Sequence, residues 1–253
     1  MSKTNSFEKK LTSLFNSLKI RKNDNIIIHS NSAGLFQFDK TIKINQYNKF
    51  LKFIKNRVGK KGTILIPTYN YDFTKKITFD KKKTPSQVGS FSNHLLKKYF
   101  KNRSNDPIFS HIIFGRLKKR LMECNINETF GKNSIFAMIE KFRFKIICFC
   151  CPVNSMTFLH YIEKKFNVKY RYNKIFNGYI LKNNKKINFA LRYYVGKKKY
   201  NYKIKDFKLL KLLNNHYFVV KKFGKFLCYS ANSNYLVKII KKKITYNNYF
   251  LIK

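Results

Sequence analysis

Phe7, Leu11, Leu14, Phe15 and Leu18 recur at intervals of three and four, the spacing that gathers apolar side chains on one helix face. An unbroken Ile26-Ile27-Ile28 run follows and reads as a strand buried on both sides. Tyr47, Phe50, Leu51, Ile54 and Val58 repeat the helical spacing, Gly59 and Gly62 interrupt it, and Thr63-Ile64-Leu65-Ile66 forms a second buried strand stopped by Pro67. This alternation predicts a three-layer-like α/β core around a mostly parallel sheet. Further along, the pattern predicts a helix through Phe91, Leu95, Leu96 and Tyr99, a strand over 109–114, a short capped helix over 134–140 and a buried strand over 145–150. From about residue 177 the chain turns hairpin-like, with turns at Asn183-Asn184 and Gly224 and helices near 206–213 and 232–240. A soft boundary is expected at residue 176, between an α/β core (1–176) and an α+β portion (177–253), with a single domain as the alternative.

Composition narrows the class. The 253 residues are 44% apolar and 17% aromatic, too rich for a disordered polymer, although 55 basic against 11 acidic residues leave a net charge of +44. Such a charge first brings nucleic acid to mind. Only eight of the cations are Arg, however, and bidentate phosphate and base recognition favours Arg. Lys, Asn, Ile, Phe and Tyr are over-used together, and all have codons built from A and T, so drift of surface positions toward Lys in an AT-rich genome accounts for the charge. No specific nucleic-acid partner is expected. Five cysteines, with Cys148, Cys150 and Cys151 inside an apolar run, make no CxxC pair and no zinc spacing, so neither a disulfide framework nor a metal is expected. The first residues lack an apolar signal region, and the longest uncharged stretch, 146–162, is short for a membrane helix, which points to a cytoplasmic protein.

Chemistry concentrates in five strings, four of which contain the chain's four prolines. In order they are Ile28-His29-Ser30-Asn31, Gly62 to Thr68, Thr84-Pro85-Ser86-Gln87-Val88-Gly89, Arg103-Ser104-Asn105-Asp106-Pro107-Ile108-Phe109-Ser110 leading to Gly115, and Cys151-Pro152 followed by Asn154 to Glu163. In the last, His160 and Glu163 are three apart and leave one face if the segment is helical. A helix starting near Asn154, just after the strand ending at Cys150, would sit at a strand's carboxyl end, where open α/β proteins bind ligands. His titrates near neutral pH and a carboxylate can orient it as a general base. The same spacing also fits an ordinary surface or capping pair. The helical HExxH zinc signature is missing.

Taken in order, these strings resemble the aminoglycoside N3-acetyltransferase family, also called the antibiotic N-acetyltransferase family, over roughly residues 7–178. The resemblance implies that family's fold, with residues 1–176 binding acetyl-CoA and 177–253 completing the acceptor site. It further implies acetyl transfer from acetyl-CoA to a primary amine, with His160 as general base and Glu163 assisting it or positioning the amine. Asp106 stands where antibiotic-modifying members carry His, and Asn31 where they carry a second Ser. The strings Asp-Pro-Ile-Phe-Ser and His-Tyr-Ile-Glu followed by Tyr170-Arg171-Tyr172-Asn173-Lys174 look more like members tied to amino-sugar and surface-polysaccharide biosynthesis.

On this footing His29, Ser30, Asn31, Arg103, Ser104 and Ser110 are the expected cofactor contacts. Backbone N–H groups near Ser30 and Asn31, or at the start of the His160 helix, are expected to face the developing oxyanion. Asp72 and Asp106 are the expected acceptor contacts. A neutral or anionic amino sugar or sugar nucleotide suits a basic protein better than a polycationic drug. The competing expectations are aminoglycoside modification itself and a degenerate, non-enzymatic chain that holds RNA or other polyanions. A covalent route through Cys151 competes with direct transfer, and a homodimer is left open.

Overall fold

The structure, a computed structural model, describes residues 6–38 and 43–253. In chain order the elements are α1 (Ser6–Ser17), β1 (Asn25–Ser30), α2 (Ala33–Phe36), α3 (Lys43–Val58), β2 (Thr63–Pro67), β3 (Phe79–Asp80), α4 (Ser90–Tyr99), β4 (His111–Gly115) and α5 (Lys118–Met122). They continue with α6 (Ile135–Lys141), β5 (Lys145–Phe149), α7 (Phe158–Lys165), β6 (Arg171–Lys182), β7 (Lys185–Gly196), α8 (Asp206–Leu210), β8 (Phe218–Phe223), β9 (Phe226–Asn232) and α9 (Ser233–Tyr246).

A six-stranded sheet in the order β4-β2-β1-β5-β9-β8 is the scaffold. Its centre, β2-β1-β5, is parallel, as helix–strand alternation predicts, and antiparallel strands extend it on both flanks. Side chains alternate across the pleat, so Ile26, Ile28, Ile64, Ile66 and Ile147 face one way and Ile27, Leu65, Ile113 and Ile146 the other. The first set packs on Leu14 and Phe15 of α1, Phe50 and Ile54 of α3 and Phe91 of α4. The second packs on Phe136 and Ile139 of α6, Phe158 and Ile162 of α7 and Leu236 and Ile240 of α9. Helix, sheet and helix therefore form three layers, with the three parallel central strands buried on both faces.

A smaller sheet, β3-β6-β7, stands beside the first. Asn183 and Asn184 join β6 to β7 with φ of 49° and 61°, the left-handed pair a two-residue hairpin needs. Residue 176 falls inside β6, and from the expected second portion β9 lies beside β5 in the main sheet, with β8 beyond it. The two stretches of chain thus share one sheet, so the boundary drawn at 176 does not mark a break in the fold.

Two local expectations shift for identifiable reasons. The strand expected from Phe109 starts at His111, because the Asp106 carboxylate captures the N–H groups of Ile108 and Phe109 at 2.9 and 2.8 Å and bends the chain there. The helix expected from Asn154 is a single 3-10 turn at Val153–Ser155, and α7 proper begins at Phe158.

Candidate active site

At the end of β5 the chain turns through Cys150, whose φ of 56° is left-handed, and through Pro152 into α7. Phe158, Leu159 and Ile162 anchor α7 in the core, and the i, i+3 relation carries His160 and Glu163 out on a common face. His160 Nδ1 lies 2.6 Å from Glu163 Oε2 in a hydrogen bond. The Glu163 side chain is wholly buried, whereas 27% of the His160 side chain remains open. The Tyr170 hydroxyl donates to Glu163 Oε1 at 2.7 Å, and Arg171 Nε stands 2.7 Å from Oε2 as an ion pair. Burial works against the Glu163 charge, but His160, Arg171 and Tyr170 together outweigh it and hold the carboxyl below its ordinary range. Burial, and after it the Arg171 charge, lower the His160 imidazole, with Glu163 pulling the other way. The imidazole is therefore neutral at pH 7. With Nδ1 engaged, Nε2 is the nitrogen left to take a proton.

His160 lines a cavity of about 400 Å³ together with His29, Ser30, Tyr69, Tyr71, Asn154 and Thr157. Its walls mix apolar Ile28, Ile66, Pro67 and Val88 with hydroxyl and amide groups, and among the described residues no carboxylate lines it. Burial keeps His29 neutral, with a pKa lowered to about 4, and its Nε2 is enclosed without a hydrogen-bond partner. On the other side of α7 a wider cleft of about 960 Å³ contains Glu128 and Glu140. Both are already paired, Glu128 with Lys164 at 3.4 Å and Glu140 with Lys165 at 2.6 Å.

Of the residues expected to form the site, His29, Ser30 and His160 meet around this cavity, with Glu163 behind His160. Asn31 does not join them. Its N–H donates to Phe149 O at 2.9 Å and its side chain accepts from Ala33 N at 3.0 Å, so it shapes the turn after β1 instead of facing an oxyanion. Arg103, expected to meet a phosphate, is wholly buried. Its guanidinium donates to Ser110 Oγ at 2.9 Å, to the Thr68 carbonyl at 2.9 Å and to the Thr84 carbonyl at 2.5 Å. Ser110 Oγ donates in turn to Thr68 O at 2.9 Å, and Ser104 Oγ accepts from His111 N at 2.9 Å. Arg103, Ser104 and Ser110 thus stitch β2, β4 and the Thr84 loop together and present nothing to a cofactor.

Asp106 is likewise enclosed, accepting from Ile108 N, Phe109 N and, at 3.0 Å, Thr129 Oγ1, so it braces a turn and does not contact an acceptor. Asp72 sits outside the cavity, 3.6 Å from Lys75. Tyr170 and Arg171 are the functional neighbours that sequence reasoning left without a role. Their string was visible, yet nothing in its spacing shows that the start of β6 folds back onto α7. Among the described residues no cluster of three or more His, Cys, Asp or Glu could hold a metal ion, and no helix is long and apolar enough to cross a membrane.

The sequence model of a family described as aminoglycoside 3-N-acetyltransferase matches residues 28–245, most of the chain and all of the cavity described above. The chain belongs to this family. It is accordingly an acetyl-CoA-dependent N-acetyltransferase. No curated protein matches it with significance. Among solved structures, the YokD protein of Bacillus subtilis superposes with a TM-score of 0.76 at 14% identity, covering 95% of this chain and 94% of that one. An aminoglycoside acetyltransferase, AAC(3)-Xa, gives 0.76 at 14% identity over 96% and 93% of the two chains. AAC-IIIb in a binary complex with CoASH gives 0.75 at 12% identity over 93% and 96%. At these identities the likeness shows the fold, which is the antibiotic N-acetyltransferase fold that the five strings imply.

Proposed function

We propose that this acetyltransferase moves an acetyl group from acetyl-CoA to the primary amine of an amino sugar or sugar nucleotide, by direct attack with His160 as general base and Glu163 in support. One observation carries the reading. A neutral imidazole stands on the wall of a cavity with Nδ1 fixed at 2.6 Å to a buried carboxylate, which orients Nε2 as a proton acceptor. As the amine nitrogen bonds to the thioester carbon and the carbon–sulfur bond breaks, the ammonium proton passes to His160 Nε2 and the CoA sulfur leaves. The apolar walls formed by Ile28, Ile66 and Val88, with the hydroxyls of Ser30 and Ser92, fit a pantetheine arm.

The acceptor class follows from charge. A polycation is held by unpaired carboxylates, yet among the described residues none lines the cavity and the two in the neighbouring cleft are paired with lysines. A neutral or anionic amino sugar meets no such lack. Aminoglycoside acetylation is the second reading, favoured by the family's description. The test is release of free CoA thiol against a panel of amino sugars, sugar nucleotides and aminoglycosides. Wild type should turn over a sugar amine, and His160→Ala should lose about 10²–10⁴-fold in kcat while still binding acetyl-CoA. Turnover of aminoglycosides alone replaces the first reading with the second, and a fully active His160→Ala removes the base assignment.

A further inference from the structure

Resting on the reading of His160 as the base, we infer that Arg171 is a positioning residue for the transfer: it grips, as an ion pair, the same Glu163 oxygen that accepts the hydrogen bond from His160. Oε2 lies 2.6 Å from His160 Nδ1 and 2.7 Å from Arg171 Nε, and Oε1 receives the Tyr170 hydroxyl at 2.7 Å. Every side of the carboxylate is held. The Arg171 Nε–H lacks the alignment of a hydrogen bond, so the grip is one of charge, and the guanidinium also lies over the Tyr202 ring at 5.6 Å.

The arrangement solves a problem that a two-residue dyad leaves open. A buried carboxylate facing only an imidazole is balanced best when the imidazole is protonated, and a protonated imidazole is useless as a base. With Arg171 in place the buried charge is already balanced. The imidazole can then stay neutral, keep its Nδ1–H on Glu163 and leave the Nε2 lone pair for the amine. The direction of the His160 shift agrees, because the Arg171 charge lowers that imidazole while Glu163 raises it.

The other charges nearby leave this balance intact. On the far side of α7, Lys164 and Lys165 are matched by Glu128 and Glu140, and the Tyr161 hydroxyl donates to Glu140. From β7, Tyr193 and Tyr194 feel both Glu163 and Arg171, and burial raises both phenols, Tyr194 to about 12, so they stay neutral. Burial raises Tyr170, which lies against the carboxylate, further still. From the cavity side, Tyr69 and Tyr71 are likewise raised by burial, and His29 is neutral.

The test is an NMR pH titration of the His160 imidazole, one of five in the chain, assigned by its loss in His160→Gln. Arg171→Gln should raise the His160 pKa by about one unit, tenfold in proton affinity, and Arg171→Lys should return it most of the way. The acidic limb of kcat/KM against pH should move by the same amount. A structural role alone would lower the melting temperature and leave both titrations in place, and that result overturns the inference. If Arg171→Gln does not fold, Glu163→Gln is compared with Glu163→Gln/Arg171→Met, where no buried carboxylate is stranded. The second substitution should again raise the imidazole, and an unmoved imidazole overturns the inference here too. A wild type that binds acetyl-CoA, acetylates no amine and still shows the Arg171-dependent shift overturns the acyl-transfer reading and leaves the charge balance standing.

Discussion

Lowering the pH from 6.5 to 4.5 should cost this fold about 2.7 kcal/mol, the net effect of three groups the fold encloses. Burial lowers His29 to about 4 and His111 to about 3, the nearby His29 adding to the second shift. At pH 4.5 both therefore stay neutral when folded, whereas both are protonated in the unfolded chain, where His titrates near 6.5. Because these folded values are depressed, the unfolded state binds more protons, and stability present above the unfolded pKa is lost as pH falls toward the folded one. Each imidazole costs about 2.2 kcal/mol over that interval. Asp106 acts the other way, because burial raises its carboxyl to about 6. The folded state takes up that proton first and recovers about 1.8 kcal/mol over the same interval. Urea denaturation at half-unit pH steps reads the slope directly, and wild type should take up about one net proton on unfolding between pH 6 and 4.5. His111→Gln, which can still meet the Tyr69 hydroxyl now 3.0 Å from His111 Nε2, should bring the uptake near zero. Asp106→Asn should raise it to about two. A stability that is flat across this range, or a slope that ignores both substitutions, would refute the reasoning.

Two further substitutions probe the frame around the site. Arg103→Met strands the carbonyls of Thr68 and Thr84 and should cost about 3–5 kcal/mol by urea midpoint, while calorimetry on the folded fraction finds acetyl-CoA affinity unchanged. A selective loss of affinity instead would return Arg103 to the cofactor. Gly115→Ala places a Cβ 2.1 Å from the Gly62 carbonyl oxygen at a φ of +100°, and a drop of at least about 2 kcal/mol is expected. Gly131→Ala, whose Cβ meets the Glu128 side chain, closest at its movable carboxylate and at 3.1 Å from its Cβ, should cost less than Gly115→Ala, and equal losses at the two positions would count against the strain argument.

Local order was the most legible part of the sequence. The triple Ile of β1, the Ser134 hydroxyl that caps α6 by accepting from Ala137 N, and the Asn183-Asn184 hairpin turn depend on neighbours within a few residues, and each stands where its pattern put it. The His160–Glu163 contact was visible for the same reason, since one helical turn joins the two. What the sequence hid depends on distant chain. Arg103 reads as a surface cation because charge is seldom enclosed, and only the carbonyls of Thr68 and Thr84, brought in by β2 and its following loop, make its burial affordable. Asp106 misled likewise. Its donors are partly local, but Thr129 closes the cage from more than twenty residues away.

The position of β5 bears on how the protein is made. It is one of the two middle strands of the main sheet, pairing with β1 on one side and β9 on the other. β1 is already synthesised when β5 leaves the ribosome, but β9 lies nearly eighty residues downstream. At about 5–20 residues per second, the apolar edge of β5 waits on the order of 4–15 seconds for its partner. An unpaired apolar edge is a template for pairing with another chain. The excess of lysine, which no nucleic acid is needed to explain, makes half-built chains repel one another during that wait.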